Sequence, residues 1–491
     1  MTEFFTSASS LPAWFSRFLT YNGSMTVAQL RAKHHCFFYR KFAWQIINDE
    51  LVIDFTFELE PEIIFQPQIK IFPLSQEFLN NANQANLNNW VFHLGLIEMF
   101  SYWKVAASPT IVIEAGQLDD DQLSWWKELL LKGMGEFFYT NDIDFTPTDF
   151  VELISDSDDN WSVQAAATAA NPKSAAAKYL VPVGGGKDSA LVVEILEENG
   201  LEYDILLSHP QSPAADKIAK ASQAQQLFQI GRTFDPKLFE LNQAGYLNGH
   251  TPFSARLAFE SSLLASLVGH QQVLLANEFS ANEGNVPFHG TTVNHQYSKT
   301  FEFEQRFRQY VERYLSPAPE YLSLLRPLTE LQIAAAFAQR PRFQQLFKSC
   351  NREQQEEQWC CQCPKCLFVF TVLYPFLEEK ELVGPIFPSN LFEDSSLKST
   401  ALAMLGKDEH KPFECIGTYE ETLAAFQLSI EHFRRQHPDQ DLPALLGFVQ
   451  QQVLHDEPNV AQYAQQALQQ WNDQHHLDEQ LVNIVRSVLR N

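Results

Sequence analysis

Basic residues are in short supply. Only 35 lysines and arginines stand against 60 aspartates and glutamates, a formal net charge of −25. A broad nucleic-acid surface needs clustered cations to displace counterions, so the composition argues against that class. The same imbalance requires local positive groups to hold any anionic small molecule against an unfavourable overall field. Long hydrophobic runs are missing too. The longest apolar stretch, Leu367–Leu377, falls short of the ~20 residues that cross a bilayer. No basic segment leads into an apolar one near Met1, so no secretory leader is expected and the reading is cytoplasmic, with no membrane partner. Seven cysteines in 491 residues do not make a disulfide framework. No repeat of fixed period is visible.

What the chain does have is a segment, Tyr179–Ile195, reading YLVPVGGGKDSALVVEI. An apolar strand (Tyr179–Val183) runs into Gly184, Gly185 and Gly186, then Lys187-Asp188-Ser189, then a helical pattern closed by Gly200. Glycines without Cβ atoms let a backbone turn tightly and press its N–H groups on an anion. The helix that follows adds the positive end of its dipole. Lys187 can neutralise phosphate charge, and the Ser189 hydroxyl can donate to a phosphate oxygen. On this reading Gly185→Val blocks backbone approach without unfolding the chain. The spacing is not that of a Walker loop, nor of the dinucleotide GxGxxG.

At this length two or three domains with ample core are expected. Residues 1–164 read as a mixed α/β or β-rich domain, with alternating stretches at Leu51–Leu59 and Ile69–Phe72. His34-His35 and Trp125-Trp126 read as packing residues. The low-complexity run AAATAANPKSAAAK places an interdomain linker at 165–178. Over 179–418 strands and helices alternate: strands at Tyr179–Val183, Tyr203–Leu207 and Val273–Ala276, helices at Ala190–Asn199, Asp216–Phe228 and Ala255–Val268. That alternation predicts an α/β fold with a doubly wound parallel sheet, whose ligands sit beyond the carboxyl ends of the strands. Polar clusters fall at those ends: GGGKDS, Ser208-His209 and Asn277-Glu278. Residues 419–491 read as a Gln-rich helical subdomain.

Further chemistry is concentrated in three places. Asn277–Lys299, NEFSANEGNVPFHGTTVNHQYSK, reads as a functional loop over the sheet edge, against the alternative of a solvated loop with capping side chains. In it Glu278 and Glu283 are candidates for magnesium or base roles, and His295 for proton exchange. Ser298 and Lys299 are candidates for holding phosphate or carboxylate, and Asn277, Asn285 and Asn294 for substrate contact. In KPFECIGTYEE, Cys415 beside Glu414 is a proton-transfer candidate if a nearby cation lowers the thiol pKa; otherwise it is a buried hydrophobe. Cys360, Cys361, Cys363 and Cys366 crowd together with C-x2-C spacing, which leaves structural thiols, a metal site and a redox role open.

GGGKDS resembles the SGGxDS loop of the PP-loop ATP pyrophosphatases, with Gly184 at the usual first serine. With the NE-x-SANEGN loop, VNHQYSK, CQCPKC and KPFECIGTYEE following in order, the stretch Lys178–Glu421 is similar to the UDP-N-acetylmuramoyl-L-alanyl-L-glutamate epimerase family. The resemblance implies a PP-loop fold and ATP-dependent inversion of the terminal L-glutamate of a UDP-sugar dipeptide, releasing AMP and diphosphate. It implies ATP and Mg2+, with Gly184, Gly185, Gly186, Lys187, Asp188, Ser189, Ser208 and His209 at the nucleotide and Asp188 placing the metal. Cys415, Glu414, His295 and Glu283 are the candidates for moving the proton. Arg256, Lys299 and Arg306 are those for gripping the anionic substrate. Two rivals stand beside it: a PP-loop enzyme that thiolates or amidates RNA or another acceptor, and a nucleotide sensor without turnover.

Overall fold

Asn48 and Asp49 both adopt positive φ, 50° and 64°, the pair of left-handed residues that a two-residue hairpin turn requires. They join the long strands β1 (Cys36–Ile47) and β2 (Glu50–Leu59), which pair antiparallel. A computed structural model of the chain describes residues 25–74, 83–157, 178–208, 212–315, 317–353, 356–408 and 410–489. The expected linker at 165–178 lies outside these apart from Lys178, as does His209.

The remaining strands are β3 (Ile63–Phe65), β4 (Gln68–Phe72), β5 (Thr110–Ile113), β6 (Glu152–Ser155), β7 (Tyr179–Pro182), β8 (Tyr203–Ser208), β9 (Leu227–Thr233), β10 (Gln272–Leu275), β11 (Val286–Phe288), β12 (Thr291–Val293) and β13 (Glu320–Ser323). Eleven of them form one sheet in the order β13-β10-β7-β8-β9-β4-β2-β1-β5-β6, with β3 on β2; β11 and β12 make a separate hairpin. Strands β9-β8-β7-β10-β13 are parallel throughout. The sheet as a whole is mixed, because β4 pairs antiparallel with both β9 and β2. The expected α/β class is therefore found, but a purely parallel sheet is not. Strands from either side of residues 165–178 belong to the same sheet.

Each face of the sheet carries its own core. Along β7, Val181 packs with Ile205, Leu274 and the helix Lys187–Glu198, while its neighbour Leu180 packs with Leu206, Val273 and the helix Phe253–Val268. Alternation with both faces covered is what a doubly wound sheet demands. One expected element is corrected. Asp216–Phe228 is not one helix: Ser212 caps a helix Pro213–Ala221 with Pro213 in its first turn, and β9 follows from Leu227. Alternating burial of Phe228 and Ile230 marks the strand, which the helical reading absorbed. The C-terminal helices Tyr419–Gln436, Ala444–Gln452, Val460–Gln469 and Glu479–Val488 agree with expectation. Among the described residues no helix is long and apolar enough to cross a membrane.

The helix Gln84–Glu98 seals the face of β1 and β2 through Gly95. A Cβ there would overlap the Tyr39 hydroxyl and ring and stand 2.9 Å from Phe55. Helix propensity alone favours alanine by about 1 kcal/mol, but overpacking a closed core costs about 1–3 kcal/mol. Packing wins. Gly95→Ala is expected to lower the urea midpoint of unfolding; a raised midpoint would show that Tyr39 yields freely.

Candidate active site

Counting the parallel strands from β7 in chain order gives the spatial order 3-2-1-4-5, so the winding reverses between β7 and β10. A crevice opens beyond the carboxyl ends of the strands at such a reversal, and ligands bind there. The glycine loop leaves β7 at that point. Gly185 has φ +90°, and a Cβ on it would stand 2.5 Å from Ser212 Oγ and 2.7 Å from the Ala215 nitrogen. Its lack of a side chain serves the seating of the loop on the next helix. Gly184 is exposed and a Cβ there would meet nothing within 4 Å, so this glycine faces open space. Gly186 caps the helix without a side chain, leaving the first-turn N–H groups of Lys187–Glu198 without a side-chain cap.

Lys187 is buried and turned inward. Its ammonium pairs with Asp188 and, at 2.5 Å, with Glu330. Burial alone would lower its pKa, but the two carboxylates outweigh that and hold it charged. Asp188 remains about a quarter exposed; burial opposes its charge, yet Lys187, Lys365 and Lys299 keep its pKa below the usual range. The Ser189 hydroxyl donates to the Gly186 carbonyl at 3.2 Å. The Ser208 hydroxyl donates to Glu260 at 2.6 Å, and Glu260 also pairs with Arg256.

The thiol of Cys415 shares two of its neighbouring cations, Lys299 and Lys365, with Asp188. Lys299 Nζ lies 3.3 Å from its Sγ and His295 Nε2 lies 3.8 Å away. The Lys365 ammonium donates to the Cys415 carbonyl. Burial works against a charged thiol, but Lys299, His295 and Lys365 prevail and bring its pKa down to about 6. Burial likewise disfavours imidazolium at His295; Cys415 and Glu136 overcome it and raise that pKa to about 9. Glu136 Oε2 stands 3.1 Å from His295 Nδ1 and orients the ring. The pair is therefore a thiolate beside an imidazolium near neutrality. Glu414 is buried, which pushes its carboxyl up to about 7 although the Lys365 N–H donates to it at 2.6 Å.

Cys415, His295, Lys299, Asp188 and Lys187 are thus gathered from three separate motifs. Other candidates have structural partners. Glu283 pairs with Lys411 at 2.8 Å and accepts from the Tyr419 N–H. Asn285 bridges the His295 N–H and the Pro412 carbonyl, and Asn294 donates to the Ala281 carbonyl. Asn277 donates to Ser323 Oγ, while Glu278 and Ser298 are buried in the same loop. Arg306 pairs with Glu128 on the half-exposed outer face of the helix Phe301–Tyr314. Sequence reading missed Glu136, Glu330 and Lys365. For Lys365 the signal was its place in CQCPKC; the two carboxylates carried none. Of the clustered cysteines, Cys361 stands outside a group formed by Cys350, Cys360, Cys363 and Cys366.

Fold and site together define an α/β protein with a glycine-rich loop at a winding reversal and a charged thiol–imidazole pair. Residues 28–324 match the MurL N-terminal domain and residues 346–460 the MurL C-terminal domain, and the chain belongs to this family. A Xanthomonas oryzae pv. oryzae protein named UDP-N-acetyl-alpha-D-muramoyl-L-alanyl-L-glutamate epimerase is 35% identical over 379 residues, 76% of this chain and 80% of the relative. Relatives of the same name from Micromonospora sp. and Salinispora tropica are each 32% identical, over 74% of this chain and 80% and 77% of their own. No solved structure matches the chain.

Two outcomes are expected. Gly185→Ala should destabilise the fold, correcting the expectation that a side chain at this position leaves folding intact, whereas Gly184→Ala should leave stability within about 0.5 kcal/mol, as surface changes do. Thermal denaturation of both variants checks this. Alkylation of Cys415 by iodoacetamide, followed by peptide mass spectrometry, should rise as pH climbs through about 6 and then stay flat toward 9. In Lys299→Met the rise should move to higher pH, since the thiolate loses its nearest cation; an unmoved midpoint would overturn the assignment.

Proposed function

We propose that this protein is an ATP-dependent epimerase that converts the terminal L-glutamate of UDP-MurNAc-L-Ala-L-Glu to D-glutamate in making a peptidoglycan precursor. The observation that carries the reading is the Cys415 thiolate, set against Lys299 and His295 at the mouth of the glycine loop. Epimerases named for this substrate are similar over most of the chain. The GGGKDS loop and the 3-2-1-4-5 strand order favour the PP-loop class.

The chemistry explains why a nucleotide loop and a thiolate belong together. Removing a Cα proton beside a free carboxylate would create a dianion. Attack of the carboxylate oxygen on the α-phosphorus of ATP, with diphosphate leaving, forms an acyl adenylate whose carbonyl no longer carries the carboxylate charge, and this acidifies that proton. The Cys415 thiolate then accepts the proton, a second acid in equilibrium with solvent gives its proton to the opposite face of Cα, and the thiol afterwards returns its own proton to solvent. Water adds to the acyl carbon and expels AMP, regenerating the carboxylate. Lys187, already paired internally, fixes the loop; the N–H groups of the helix start grip the departing diphosphate, work of the kind that dominates phosphoryl chemistry. Asp188, with a carboxylate about a quarter exposed beside Lys187, would hold a magnesium ion, which would supply further positive charge for the phosphates. Lys299 and His295 hold the charge of Cys415.

Incubation with ATP, Mg2+ and UDP-MurNAc-L-Ala-L-Glu, followed by chiral analysis of the released glutamate, is expected to show D-glutamate together with AMP and diphosphate. Glutamate that stays wholly L would sink the proposal. In D2O, Cys415→Ala should release diphosphate still, but incorporate deuterium at Cα about 10²–10⁴ times more slowly, the usual contribution of a positioned proton carrier.

A further inference from the structure

We infer that this chain carries a structural zinc ion held by Cys350, Cys360, Cys363 and Cys366. Their sulfur atoms all lie within 4.8 Å of one another. Cys360 and Cys366 are 3.7 Å apart, and Cys363 and Cys366 3.4 Å. Four thiolates around one zinc at about 2.3 Å have sulfurs about 3.8 Å apart by tetrahedral geometry. A multi-iron cluster would insert iron and sulfide between its ligands and spread them farther, so the spacing fits a single ion. Three of the four cysteines are buried, and tetrahedral all-sulfur sites are the structural zinc type.

The surroundings are arranged for negative sulfur. N–H groups of Glu353 and Cys360 donate to Cys350 Sγ at 3.2 and 3.4 Å. Those of Gln362 and Cys363 donate to Cys360 Sγ at 3.4 and 3.3 Å. The Cys366 N–H donates to Cys363 Sγ at 3.4 Å, where Cys363 caps the helix Pro364–Leu373. N–H groups and a helix start both favour thiolate. Cys361, with φ 55°, belongs to none of this; Ser389 is its hydrogen-bond neighbour.

The position gives the ion a purpose. Two residues before Cys350, the Lys348 N–H donates to the Gly185 carbonyl at 2.9 Å, and a Cβ on Gly186 would lie 3.1 Å from Ser349 Oγ. One residue before Cys366, Lys365 donates to the Cys415 carbonyl and, through its N–H, to Glu414. One ion thereby ties the glycine loop to the thiol segment. This inference stands on the sulfur geometry and does not require the epimerase reading.

The test uses the full chain purified without added metal. Mass-spectrometric metal analysis should give one zinc per chain, and X-ray absorption at the zinc edge should show four sulfur neighbours at about 2.3 Å. Four thiols should become alkylatable for each zinc released to a chelator. Cys360→Ser should lose at least nine-tenths of the zinc, while Cys361→Ser keeps it. Should Cys360→Ser fail to fold, the absorption spectrum of the unaltered protein still decides. Absence of zinc, iron in its place, a disulfide among these cysteines, or nitrogen and oxygen neighbours would each overturn the inference. So would zinc that survives Cys360→Ser but is lost in His250→Ala, because Glu136, His250 and His295 form the other compact donor group among the described residues.

Discussion

Arg326 is wholly shielded from solvent, and its guanidinium donates to the carbonyls of Glu278 and Lys299 at 2.7 Å each while pairing with Glu304 at 2.9 Å. Glu278 and Lys299 stand at the two ends of the long loop that leaves β10. Releasing that loop would strip two carbonyl acceptors from a buried cation, and a hydrogen bond to a charged group contributes about 1.5–3 kcal/mol. The loop is therefore fixed at both ends, and Lys299 is delivered to Cys415. Without that ammonium the thiol would lose the largest of the positive influences that oppose its burial, and its pKa would rise. The acid–base character of the site thus rests on a guanidinium that never touches the thiol.

The sequence was readable where the signal is local. A strand, three glycines and a helix start lie within a dozen residues, and the loop containing His295 and Lys299 announces itself by polarity between two apolar elements. The condition attached to Cys415, a nearby cation, is met by Lys299 from 116 residues away, a contact no spacing rule supplies. Glu136 is farther still, 159 residues from His295. Its helix, Gly135–Thr140, carries only a packing pattern, four of its six residues being buried. The fourth member of the sulfur group, Cys350, was overlooked because ten residues separate it from Cys360, beyond the short spacing that draws the eye. Boundaries failed where two signals compete, as in 216–228, where helical and alternating patterns overlap until the serine cap and β9 separate them.

The N-terminal third is more than an appendage in this light. Its β4 pairs with β9 over five residues, and its helix Gly135–Thr140 supplies the carboxylate that orients His295. The Lys104 ammonium donates to the Gly249 carbonyl at 2.7 Å, beside His250. Glu98 pairs with Arg232 of β9 in the interior. These contacts carry buried charge, so they resist sliding in a way that apolar contacts alone do not. The imidazole's position is consequently set by both halves of the sheet.

The strongly acidic chain also solves the problem of an anionic ligand in a specific way. Around the crevice the lysines are present but already engaged: Lys187 with Asp188 and Glu330, Lys299 with Cys415, Lys365 with the Cys415 carbonyl, Lys411 with Glu283. An incoming phosphate or carboxylate meets cations whose desolvation cost was met on folding, and it must compete with their internal partners. Binding is then an exchange of partners whose net gain is small for any generic anion. A ligand that also used the uncapped helix start and the open side of Gly184 would gain more in that exchange than a generic anion would. The net charge of −25 opposes every anion alike, so discrimination has to be local.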